Sequence, residues 1–128
     1  MKTLILFLIL AVSSAAFAQT EKAIENAPAN YLKALKSDND GVVESALFHS
    51  MKYKLYYPEQ NTAKLEREIE KLVENGNSDA IRYKAFLADE FMQNNTLMNK
   101  IEKADYKDAG EFFKMLGKEL NEHLIAAK

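Results

Sequence analysis

Cysteine is missing from this chain altogether. That excludes a disulfide framework and the usual lipid attachment point of a bacterial lipoprotein, so a folded domain must rest on its apolar core. No charge sign prevails either. Seventeen basic and 19 acidic residues are dispersed along the chain, for a formal charge of −2. There is no basic field to attract nucleic acid or anionic lipid. Proline and glycine are scarce, two and four of 128 residues, so they serve only as punctuation. No alternating polar and apolar pattern of any length occurs, which leaves an all-α fold as the expectation. A G-x-S-x-G elbow, an H-E-x-x-H pair and a cysteine cluster are all lacking. Ser45, Ser50 and Ser78 fall within or at the start of expected helices. No catalytic residue and no cofactor is therefore expected, and the chain does not read as an enzyme.

What is present begins at the N-terminus. Lys2 gives a short positive region, Leu4 to Val12 is an unbroken apolar run, and Ala16-Phe17-Ala18 is an A-x-A cleavage pattern. Nine apolar residues span about 13.5 Å as a helix, against a hydrocarbon core of about 30 Å. The expectation is a cleavable signal peptide over residues 1–18 rather than an anchor. A single domain over residues 19–128 would remain, periplasmic or extracellular, with no stable membrane anchor. Lys2 is the only charge lost, which takes the formal charge from −2 to −3.

The mature region reads as a series of amphipathic helices. A short first helix carries Tyr31, Leu32 and Leu35, with Pro28 in its first turn, where a missing N–H is harmless. Residues 37–41 form a turn. Val43, Leu47, Met51 and Leu55 then repeat every fourth position, widened by Val42 and Ala46, and Pro58 ends that helix. Thr62 is a candidate N-cap for a helix with Leu65, Ile69, Leu72 and Val73 on one side. Gly76 suits a left-handed C-terminal position. Ser78 or Asp79 caps the next helix, to about Gln93. A shorter helix bears Leu97, Met98 and Ile101. Asp108 and Glu111 open the last helix with a capping pattern, and Phe112, Phe113, Leu116, Leu120 and Leu124 form its stripe.

Two of these helix starts are alike. Asp40-Gly-Val-Val-Glu-Ser-Ala46 can be laid on Asp79-Ala-Ile-Arg-Tyr-Lys-Ala85, an offset of 39 residues. A helix, a tight turn and a second helix at such a period mark an α-solenoid, although any antiparallel helical array gives similar spacing. The D-x-V/I-x-x-x-A pattern resembles HEAT repeats over about residues 31–93. The resemblance implies antiparallel hairpins (about 28–57, 62–93 and 96–126) stacked as a short HEAT-like α-solenoid. It also implies aspartate caps on the second helices and an arginine ladder between repeats. Arg82 matches that arginine, but Val43 stands in its place in the first unit. The third hairpin lacks the pattern and reads as a cap.

The least ordinary feature is aromatic density. Tyr53, Tyr56 and Tyr57 fall within five residues, among Lys52 and Lys54, and Tyr83 sits early in the equivalent helix. Tyrosine beside lysine suits recognition, because the ring supplies area and the hydroxyl a hydrogen bond. The alternative is that the rings seal the gap between hairpins. Lys52, Tyr53, Tyr56 and Tyr83 are the candidate binding residues, expected on one accessible surface of the second helices. Phe48, His49, Lys84 and Phe86 are further candidates for that surface. Glu119 and His123, four apart, share a helix face, but one such pair makes no metal site. The functional expectation is an exported, non-enzymatic module that binds a protein or peptide. The alternative is a carrier of a small apolar ligand or lipid, with a cavity between helices.

Overall fold

A computed structural model describes residues 20–101 and 108–126, and the expected leader lies outside them. The described residues form six helices and no strand, as an all-α fold requires. They are α1 (residues 20–35), α2 (Asp40–Tyr56), α3 (Ala63–Asn75), α4 (Asp79–Gln93), α5 (Asn95–Lys100) and α6 (Ala109–Ala126). None is long and apolar enough to cross a membrane.

The local chemistry at each helix end differs in instructive ways from the sequence pattern. Pro28 lies well inside α1, not in its first turn. The caps of α2 and α4 are Asn39 and Ser78, each one residue before the aspartate that the repeat pattern would use. Asn39 Oδ1 accepts from the Val42 N–H at 3.2 Å, and Ser78 Oγ from the Ile81 N–H at 3.2 Å. Their β-region backbone and short polar side chains suit that position. Asp40 and Asp79 follow in the first turn, where a carboxylate favours the helix dipole. Thr62 precedes α3 but makes no cap bond. Its hydroxyl donates instead to Glu66 Oε2 at 2.9 Å, and Asn61 Oδ1 accepts from the Ala63 N–H at 3.0 Å. Asp108 does cap α6, accepting from the Glu111 N–H at 3.0 Å.

Gly76 is also corrected. Its φ of −59° and ψ of 148° are not left-handed. What requires glycine is space: a Cβ there would stand 2.9 Å from the Leu72 carbonyl oxygen and 3.0 Å from Ile81 Cγ2. The tight turn lets α3 and α4 pair as an antiparallel hairpin, the most extensive packing among α2 to α6.

One apolar core joins all six helices. Val43, Leu47 and Met51 enter it from α2, Leu65 and Ile69 from α3, and Ile81, Ala85, Ala88 and Phe91 from α4. Val42 is 42% exposed and does not widen the α2 stripe, while Leu72 and Val73 are only half-buried. The helix starts related by the repeat touch each other, because the Ser78 hydroxyl donates to Asp40 Oδ2 at 2.7 Å. Lys84 pairs with Glu44 at 2.7 Å further along the same two helices. Helix α6 lies against both α2 and α4. Its Phe112 meets Phe91 edge-on at 5.7 Å and Phe48 at 5.6 Å.

Candidate functional site

Helix α2 is buried by α4 and α6 on one side and covered by α1 on the other. Along the edge facing α1, His49, Lys52, Tyr53 and Tyr56 follow at i, i+3, i+4 and i+7, the spacing of one helix face. Tyr57 continues this edge past the helix end, and Tyr31 faces it from α1. These six residues line an open cleft of about 440 Å³. That falls within the range of about 300–1,000 Å³ typical of ligand clefts. A second hollow, of about 400 Å³, shares the Tyr31–His49 wall and continues past Ala34, Val42 and Ser45.

The floor is rigid. Tyr53 is only 4% exposed, and its hydroxyl donates to the Ile24 carbonyl at 2.8 Å. That carbonyl is the one left without its helical partner by Pro28, which has no N–H to give four residues back. The tyrosine thus repairs α1 and fastens it to α2 with one bond. Tyr31 meets Tyr53 edge-on at 6.1 Å, and Tyr53 meets Tyr57 at 5.3 Å, the separations that aromatic pairs favour. The His49 ring stacks on Tyr31 at 5.9 Å and lies 5.3 Å from Phe48.

The electrostatics follow from this packing. Partial burial of the His49 ring, then the Lys52 charge, lower its pKa and favour the neutral imidazole. Burial raises the Tyr31 and Tyr53 hydroxyls above the ordinary phenol value, and Tyr57 adds to both. Glu59 and Glu25 also act on Tyr53, so that end of the cleft faces negative charge. Lys52 stands along the same edge, between His49 and Tyr56. Four cations among the described residues are half-buried: Lys52, Lys54, Arg82 and Lys84. Lys54 pairs with Glu66 at 2.6 Å, Lys84 pairs with Glu44, and Arg82 pairs with Asp79. Lys52 stands over the Phe48 ring, 5.6 Å away, with no carboxylate within salt-bridge distance among the described residues.

Of the four residues expected on one surface, Lys52, Tyr53 and Tyr56 come together, with Tyr56 39% exposed. Two corrections apply. Tyr53 is a core residue whose ring forms the floor. Tyr83 stands elsewhere: it is 57% exposed, and its hydroxyl lies against Gly117 of α6, 3.0 Å from where a Cβ would be. Phe48 is buried in the core, Phe86 is half-buried against it, and Lys84 is engaged by Glu44. Tyr31 read as part of an apolar helix side, and its place in the cleft had no local signal, since only the α1–α2 packing brings it to His49. Among the described residues no three His, Asp or Glu side chains are grouped to hold a metal. Glu119 and His123 are half-buried on α6 without a third partner of that kind.

No protein-family model matches the chain, and neither curated proteins nor solved structures give a significant match.

Proposed function

We propose that this chain is an exported, non-enzymatic binding module that holds a segment of a partner protein or peptide along α2. The observation that carries this reading is the pair of joined hollows. They run from Tyr56 to Val42 along one helix edge, with tyrosine, histidine and lysine side chains offered to solvent. An elongated groove with aromatic walls suits an extended chain, for which rigid rings supply contact area at low entropic cost. The fixed Tyr53 floor pre-organises it. Export rests on the leader pattern of residues 1–18. A short HEAT-like stack is supported by the bond between Ser78 and Asp40 and by α2 lying beside α4. The α6 contact with both is a closer closure than nearest-neighbour stacking alone would give. A carrier of apolar ligands would want an enclosed apolar interior, whereas these hollows lie open along a helix edge.

Photo-crosslinking tests the reading. A benzoylphenylalanine at position 56 should give a discrete adduct with an envelope protein of the producing cell, and one at Lys118 on α6 should not. Tyr56→Ala with His49→Ala should weaken capture while helical content stays unchanged. Equal labelling from both positions would overturn it.

A further inference from the structure

Within that reading, we propose that the cleft takes the C-terminal residue of its partner chain, with the free carboxylate on Lys52 and an aromatic side chain against Tyr31, Tyr56 and Tyr57. This inference rests on the binding role of the groove and specifies what the groove recognises.

The argument starts from Lys52. A cation on a partly buried lysine or arginine commonly has a carboxylate partner. Lys54, Lys84 and Arg82 follow that rule here. Lys52 departs from it, and it stands in the wall of the cleft rather than between helices. Among the described residues of the lining it alone carries a full charge at neutral pH, since burial and Lys52 hold His49 towards its neutral form. A carboxylate brought by the partner can accept a charge-assisted hydrogen bond from this ammonium.

The rest of the lining fixes what the carboxylate is attached to. Tyr31 and Tyr57 are half-buried and Tyr56 is 39% exposed, and all three stand in the wall of the cleft with the cation. Edge-to-face contact with an incoming ring is the favoured geometry for such walls. Glu59 and Glu25 add to the burial that raises the Tyr53 hydroxyl, so carboxylates lie near that part of the cleft. A second negative charge on the ligand would be repelled there. The occupant is thus a monoanion with one apolar ring. The adjoining hollow along Ser45 and Val42 gives the preceding residues a path. That path favours a chain end over a free aromatic acid.

Calorimetry on the purified protein tests this with a hexapeptide ending in phenylalanine. The free acid should bind saturably, and the same peptide with an amidated C-terminus at least tenfold more weakly. Replacing the last residue by aspartate should weaken binding comparably. In Lys52→Met the acid should fall to the level of the amide while the amide is unaffected, and Lys52→Arg should retain the preference. Circular dichroism checks that both variants keep their helices. Equal binding of acid and amide, or no binding of either at millimolar peptide, would overturn the inference. So would N-acetylphenylalanine binding as tightly as the hexapeptide, which would make the cleft a small-acid site. If acid and amide bind alike while the adduct at position 56 persists, the groove is a partner site and only its terminus preference fails. If no adduct forms either, both readings fall.

Discussion

Single residues in this protein are often explained by a partner far away in sequence. Pro28 looks like a helix start because its missing N–H is harmless only there. In the structure it is tolerated inside α1 because the Tyr53 hydroxyl serves the Ile24 carbonyl that it strands. The coupling can be measured. Tyr53→Phe should cost about 1 kcal/mol, the usual net value of such a bond. Restoring the backbone donor with Pro28→Ala should make the tyrosine substitution cheaper, and a double-mutant cycle by urea denaturation reads the difference. Additive effects would show that the two residues are independent. A second residue reports through pH. Burial raises the Asp89 pKa, Glu70 and Glu66 raise it further, and the hydrogen bond to Gln93 opposes them. A carboxyl with a raised folded-state pKa binds more protons folded than unfolded. Its charge therefore opposes folding at neutral pH, and stability returns as pH falls through the raised value. Asp89→Asn should raise the melting temperature at pH 7, with the gain shrinking as pH is lowered towards 4. A gain independent of pH would mean that the charge is not the cause.

At the scale of elements, legibility in the sequence depended on how one-sided each helix is. Helix α3 buries Leu65 and Ile69 and presents charge elsewhere, so its limits and its face were both readable. Helix α2 is packed on several sides. It buries Val43, Ala46, Leu47, Phe48, Ser50, Met51 and Tyr53, and a fourfold spacing describes only one edge of that set. This is why Tyr53 read as a surface residue: a tyrosine among lysines looks exposed unless a second layer is known to cover it. Ser50 is buried for a local reason, since its hydroxyl donates to the Ala46 carbonyl at 2.6 Å and needs no distant partner. Lys54 shows the opposite. Its ammonium reaches Glu66 Oε1 and the Met92 carbonyl, both at 2.6 Å, and so ties the end of α2 to the start of α3 and the end of α4. A cation at the last carbonyls of α4 also meets the negative end of that helix. Nothing local in the order Met51-Lys52-Tyr53-Lys54-Leu55 tells which lysine is paired. The candidate site rests on that difference, one lysine paired and the other not.

For the molecule as a whole, the decisive element is α6. In a stack where each hairpin touches only its neighbours, the last helix would fray without disturbing the first unit. Here Phe112 is buried between Phe48 of α2 and Phe91 of α4, and Leu116 and Leu120 extend the same seam. The expected stripe of α6 is largely borne out, while Leu124 stands half exposed at the far end. Phe112→Ala should cost about 3–5 kcal/mol, as for other large core rings. That is a large share of the roughly 5–15 kcal/mol that holds a domain together. Because the ring touches the first and second hairpins at once, the loss should lower the urea midpoint of the entire fold. Far-ultraviolet ellipticity and tyrosine emission should then move together in one transition. Leu124→Ala should stay within about 0.5 kcal/mol, as expected at an exposed position. If ellipticity falls in two steps, with tyrosine emission following only the second, α6 unfolds alone. The hairpins would then be held by neighbour contacts only, and the α1–α2 cleft would owe its shape to those two helices and not to the closure of the molecule behind them.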